Sequence, residues 1–303
     1  IIVLKCGGLT RSLSYDERLL RIQRNMLFLY GYTERDNLDY IERTDLSFLF
    51  KFIVQERGVE LISEDKRTLI NPQNVVLRNW NNQDIPNFLY EEPIVSLDVS
   101  QNPSFRFTKE FMHDCRNMLT LKFTRSGHPS FPAAIAYAPR LTTLNLEVNY
   151  IRIIPPEISN LETLTTLDLA CNRISHLPDS FAKLKNLSSL NLSSNRLKRI
   201  PDQVLAIGGL RRLDLSYNAI TKISEKLTHL KELVVLQIAG NRLTDELPEF
   251  FEIFENLIKV DVRFNRLSSI DSLKNSPKLE VIRATGNNIS VFRSSTPSLF
   301  EVE

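Results

Sequence analysis

The sequence is poor in the residues that carry out chemistry. Its three cysteines, Cys6, Cys115 and Cys171, are scattered, odd in number and form no C-x-x-C pair. That excludes a disulfide framework and points to reduced thiols in a cytosolic protein. The four histidines, His113, His128, His176 and His229, include no two at metal-ligand spacing. Gly7-Gly8 lacks the G-x-x-x-x-G-K context of a phosphate loop and reads as a hairpin turn. No Ser, Cys or carboxylate sits in a recognisable nucleophile context. The chain therefore shows no catalytic, cofactor or metal site. Charge of one sign is lacking too. Lys and Arg number 38 against 36 Asp and Glu, a net charge of +2, which gives no general attraction to nucleic acid or lipid. No apolar run approaches the ~20 residues of a membrane span, and no secretory leader is legible. The chain opens IIVLKCGG without an initiator Met and reads as a piece of a longer protein.

What the sequence has in quantity is repetition. LTTLNLEVNYIRIIP (141–155) recurs as LTTLDLACNRISHLP (164–178), LSSLNLSSNRLKRIP (187–201) and LRRLDLSYNAITKIS (210–224). LVVLQIAGNRLTDELP (233–248), LIKVDVRFNRLSSI (257–270) and LEVIRATGNNISVF (279–292) continue the series. One Asn returns at Asn149, Asn172, Asn195, Asn218, Asn241, Asn265 and Asn287, about 22–24 residues apart. This is the leucine-rich repeat signature, L-x-x-L-x-L-x-x-N-x-L. Earlier rungs are degenerate. VVLRNWNNQDIP (75–86) has Trp80 at the Asn position, IVSLDVSQNPSF (94–105) keeps Asn102, and LTLKFTRSGHPSFP (119–132) has Ser126 instead.

Strand alternation sends Leu144 and Leu146 inward and Thr143, Asn145 and Glu147 to the other face. The recurring Asn is placed to satisfy buried backbone groups of successive turns, a structural ladder through all seven positions. No rung can bury its apolar edge alone, so stability comes from stacking. Such a scaffold binds things. Its outward columns are small and polar in the middle, then become large and charged. Arg212, Tyr217, Lys259, Arg263, Phe264 and Arg283 form the candidate partner-binding surface on the concave face, since Arg and aromatic residues are enriched at interface centres. The alternative is a solvated face on which Asp214 and Asp261 neutralise their neighbours.

Residues 1–57 do not repeat. IIVLK and LTRSL predict a hairpin, and Ser14 with Glu17 a capping box. A helix is expected over 15–30, and DLSFLFKFIVQ (45–55) is a final strand. Hairpin, helix and strand in this order resemble the C-terminal half of a ubiquitin-like Ras-association domain. The segment GGLTRSLSYDERLLRIQRNMLFLYGYTERDNLDYIERTDLSFLFKFIVQ, followed directly by a leucine-rich array, resembles the fungal adenylate cyclases. The expected architecture is α/β: a partial Ras-association domain (1–57), a transition (58–73) and a leucine-rich repeat solenoid with a curved parallel sheet (74–303).

The resemblance implies a non-catalytic regulatory scaffold. It would couple a Ras-type small GTPase, among other signalling proteins, to a cyclase domain that converts ATP to cAMP and lies outside this chain. Mg with ATP is implied only for that absent domain. The location implied is cytoplasmic, with recruitment to the inner face of the plasma membrane through the partner. The alternatives are a leucine-rich repeat adaptor, or the regulatory region of a leucine-rich repeat protein phosphatase with the same domain order.

Overall fold

In a computed structural model, the described residues are 3–5, 19–23, 26–30, 59–63, 66–70, 74–78, 85, 88–91, 94–289 and 300–301. They fall into two compact units, Ile1–Ser126 and Gly127–Glu303.

Extended segments rich in aliphatic and aromatic residues dominate the first unit. Its strands are β1 (Val3–Lys5), β2 (Leu19–Gln23), β3 (Met26–Tyr30), β4 (Val59–Ser63), β5 (Lys66–Ile70), β6 (Asn74–Arg78), β7 (Ser96–Asp98) and β8 (Thr120–Lys122). The helix expected over 15–30 is not what these residues form. β2 and β3 pair antiparallel, with Leu19 opposite Tyr30 and Gln23 opposite Met26. LLRIQ and MLFLY are apolar more densely than a one-sided helical stripe, and Phe, Tyr and Ile favour a pleated surface. The second expected hairpin strand, the capping box and the final strand over 45–55 lie outside the described residues. β4, β5 and β6 are antiparallel neighbours. From β6 onward pairing is parallel, Val75 with Leu97 and Leu97 with Leu121. Val75, Leu77, Leu97, Val99, Leu121 and Phe123 are all buried there. Phe107 packs edge-on against Phe105 and Phe123, each with ring centroids 5.1 Å apart. Ser126 stands where Asn is expected. Its hydroxyl accepts from the Asn102 amide and donates to the Thr124 carbonyl, both at 3.1 Å.

The second unit is built by the regular rungs. Each contributes a three-residue strand: β9 (Thr143–Asn145), β10 (Thr166–Asp168), β11 (Ser189–Asn191), β12 (Arg212–Asp214) and β13 (Val235–Gln237). β14 (Thr244–Glu246) and β16 (Arg266–Ser269) lie outside this series, while β15 (Lys259–Asp261), β17 (Val281–Arg283) and β18 (Phe300–Glu301) extend it. The strands of the main series pair parallel and residue for residue, so Leu144, Leu167, Leu190, Leu213, Leu236, Val260 and Ile282 form one row. Every member of that row is buried. Short 3-10 turns such as Pro156–Asn160 and Asp179–Lys183 carry the return, burying Ile158 and Phe181 at their centres. The longer rung LTDELP takes up its extra residue outside the main sheet. β14 pairs with β16 there, with a register shift between Asp245 and Glu246.

Candidate interaction surface

Three columns of residues shape the corner where each strand leaves the sheet. The first is the Asn column. Nδ2 of Asn195 donates to the carbonyls of Leu169, Leu192 and Ser193 at 2.9–3.1 Å, and its Oδ1 accepts from the Ile174 amide at 2.9 Å. Asn172, Asn218, Asn241 and Asn265 make the same set one rung along. Asn287 accepts from Leu267 and donates to Val262 and Ala284. Asn149 accepts from His128 and donates to Leu146. Asn149, Asn172, Asn241 and Asn265 are buried, whereas Asn195, Asn218 and Asn287 are half-buried. One side chain thus ties carbonyls of its own rung to a carbonyl and an amide of the preceding one, because a buried carbonyl left unpaired is costly.

The second column, at the third strand position, was not legible as structural. Asn145, Asp168, Asn191, Asp214 and Asp261 each accept the backbone amide two residues on, at 2.8–3.2 Å. These Asx turns break the strand after three residues. Asn191, on the outward face of its strand, also donates to the Asp168 carboxylate at 3.3 Å. Burial pushes the Asp168 carboxyl above its ordinary value, with the charges of Glu147 and Asp214 adding to the rise, while the Ala170 amide and Asn191 pull against it.

The third column precedes each ladder Asn and is left-handed throughout. Val148, Cys171, Ser194, Tyr217, Gly240, Phe264 and Gly286 have φ between 53° and 74°. Gly at two of these seven positions, 240 and 286, is the trace the feature leaves in the sequence.

Against this frame the six candidate partner-binding residues separate into two groups. Arg212 is exposed at the first position of β12 and Lys259 half-buried at the first position of β15. Val235 lies between them in the register, which places the two backbone positions about 9.5 Å apart at twice the usual strand spacing. Arg283 is opposite Asp261 in β17. Arg263 is held inside its own rung: Nε and Nη2 reach the Asp261 carboxylate at 2.8–3.1 Å, and Asp261 is only 1% exposed. Tyr217 and Phe264 are not on the strands. They stand in the left-handed column, 57% and 53% exposed. Cys171, in the same column, is an exposed free thiol. Burial, with the Asp114 charge second, raises the Cys115 thiol to about 12 and leaves it inert. Among the described residues no His, Cys, Asp and Glu cluster could hold a metal ion.

A ladder of Asn side chains beneath parallel three-residue strands defines the class, and the chain belongs to the leucine-rich repeat family. The sequence profile described as "Leucine-rich repeat region" matches residues 119–290. The profile of the PHLPP protein RA domain matches residues 1–54. Within that class the chain is homologous to fungal adenylate cyclases. It is 32% identical to the adenylate cyclase of Neurospora crassa over 97% of this chain, and 32% identical to that of Podospora anserina over 96%. It spans only 13% and 14% of those two proteins. Among solved structures, a leucine-rich repeat protein of Leptospira interrogans superposes with a TM-score of 0.62 at 23% identity, over 77% of this chain and 68% of that one. The plant peptide hormone receptor RGFR1, solved in complex with RGF2, gives 0.56 at 23% identity over 72% of this chain and 38% of its own. These two share the fold. No helix among the described residues is long and apolar enough to cross a membrane.

Proposed function

We propose that this chain is a partner-binding regulatory region that receives a Ras-type GTPase and couples it to an adenylate cyclase domain, in the cytoplasm at the inner face of the plasma membrane. The observation that carries the reading is the alignment with fungal cyclases across 97% of the chain, which takes in both the segment matched by the RA profile and the repeats. Arg212, Lys259 and Arg283 supply unlike-charge steering for an acidic effector surface, a contribution mainly to association rate and strongly screened by salt. Arg263 is committed to Asp261 and contributes through the pair rather than as a free cation. Tyr217 and Phe264 border the charged strands and supply the desolvated anchors that slow dissociation.

The test is a binding assay with GTP- and GDP-loaded Ras on this chain and on Arg212→Glu plus Lys259→Glu. GTP-loaded Ras binds, GDP-loaded Ras binds poorly, and the double variant loses about tenfold in affinity. Equal binding by variant and wild type removes the strand face from the reading. The PHLPP description of the profile over residues 1–54 supports one competing parent, a leucine-rich repeat phosphatase. Reading the transcript past Glu303 separates them, since a cyclase-coding sequence upholds the proposal and a phosphatase alone replaces it.

A further inference from the structure

A basic, aromatic rim runs along the second unit beside the ladder. The residues that follow each ladder Asn are Tyr150, Arg173, Arg196, Ala219, Arg242, Arg266 and Asn288. Each donates its backbone amide to the preceding rung: Arg196 to Ile174, Arg242 to Ile220 and Arg266 to Leu243, at 2.8–2.9 Å. They are therefore stacked one per rung, about 4.8 Å apart. Four of seven are arginines, in a chain whose net charge is only +2. Arg196, Arg242 and Arg266 are exposed, and among the described residues none of them forms an ion pair or a side-chain hydrogen bond. Arg173 instead lies 4.3 Å over the Tyr150 ring, so the rim already seats one guanidinium on an aromatic.

Two residues back along the chain, the left-handed column adds the anchors. A Cβ on Gly240 would come within 2.6 Å of the Tyr217 ring, and one on Gly286 within 2.7 Å of the Phe264 ring. Each aromatic thus lies across the glycine backbone of the next rung. It is pinned there while half its surface faces solvent. A pre-ordered exposed ring loses little further entropy on binding. Val148, Tyr150, Tyr217 and Phe264, four of the large apolar side chains left exposed, all fall on these two columns.

We infer that this rim is a docking site for an acidic, polyproline-II segment of a partner protein. The spacing selects the conformation. Tyr217 and Phe264 are two rungs apart, as are Arg196 and Arg242, a separation of about 9.6 Å. One polyproline-II turn advances three residues in about 9.3 Å, so every third side chain meets an equivalent position. An extended β-strand repeats each face in about 6.7 Å and falls out of step. Aromatic-lined surfaces are the usual seat for such segments, and unpaired arginines select acidic residues between the prolines. Near-zero net charge disfavours nucleic acid, which is drawn by a strong overall basic field.

The test uses this chain and a fluorescein-labelled (Glu-Pro-Pro) repeat of about twelve residues, long enough for four polyproline-II turns, followed by anisotropy. Arg196→Glu plus Arg242→Glu, and separately Tyr217→Ala plus Phe264→Ala, each weaken binding about tenfold or more. Lys231→Glu, away from the rim, leaves it unchanged, and a (Lys-Pro-Pro) repeat does not bind. The arginine pair is exposed, so a melt that matches wild type secures the comparison even where the aromatic pair unfolds. Four outcomes overturn the inference. They are no binding, no effect of the arginine pair, equal binding of a (Glu-Gly-Ser) repeat, or stronger capture of oligo-dT or phosphatidylserine vesicles. The arginine pair is disjoint from every residue of the Ras reading, so its result separates the two, whereas Tyr217 and Phe264 belong to both.

Discussion

At the residue scale, small groups carry the repeat. Asn195 makes four backbone hydrogen bonds, and a hydrocarbon in its place strands three carbonyls and an amide. Asn195→Leu is expected to cost about 2–3 kcal/mol in a denaturant melt, and Asn191→Ala about 1 kcal/mol, because Asn191 serves one amide and one carboxylate. Equal losses would contradict the assignment of the ladder. Val148 has φ 55°, a region hostile to a β-branched side chain. Val148→Asn should therefore raise the melting midpoint, by about 1 kcal/mol of stability. Asp168 sets a pH dependence. Burial raises its carboxyl above the ordinary 3.8, so the folded state binds the proton more readily than the unfolded one. Stability is thus penalised at neutral pH, and the penalty disappears as pH falls through the raised value toward 3.8. Asp168→Asn keeps the Asx turn, as Asn145 and Asn191 do, and is expected to melt higher than wild type at pH 7, with the two converging near the ordinary Asp value.

At the element scale, the strands are three residues long because the left-handed residue, joined in five rungs by the Asx turn, ends them. Such strands are too short to persist alone, and they survive by parallel pairing on both sides. The rung containing β14 shows how an insertion is absorbed. Its bulge falls where Asp245 turns left-handed, φ 64°, while Leu236 and Val260 stay in register on the core side. Gly240→Ala places a methyl group against the Tyr217 ring and a side chain at φ 61°. It should lower stability by about 1–2 kcal/mol and release the ring, which near-ultraviolet circular dichroism reads as a lost tyrosine signal.

At the scale of the molecule, stability in the second unit is a sum over neighbouring rungs. Deleting residues 187–209, one whole repeat, brings Leu167 against Leu213 and Asn172 beneath Asn218, an interface of the same kind. The shortened chain is expected to keep its circular dichroism per residue and a cooperative melt at a lower midpoint. Loss of cooperativity would mean that the rungs are not interchangeable. Function follows from the same arithmetic. An array that repeats every 4.7–4.9 Å or so presents regularly spaced side chains, and recognition is written in which residues occupy a column.

The sequence by itself determined the rung: its length, its inward Leu row and its Asn ladder, because periodicity and residue type are local properties repeated until chance is excluded. The family followed from that repetition, and the link to fungal cyclases from the first segment and its junction with the array. Only the tertiary structure decided which exposed residues share a surface. The sequence left Arg263 open between partner binding and neutralisation by Asp261, and the structure pairs the two. Tyr217 and Phe264 read as strand-face residues until backbone handedness moved them to the rim. The helix expected at 15–30 gave way to β2 and β3, since an apolar run that fits both periods is decided by what it can pair with. The rim arginines are unremarkable in the chain, one or two repeats of 23 or 24 residues from one another. They become a line only when stacking brings successive rungs within hydrogen-bonding distance.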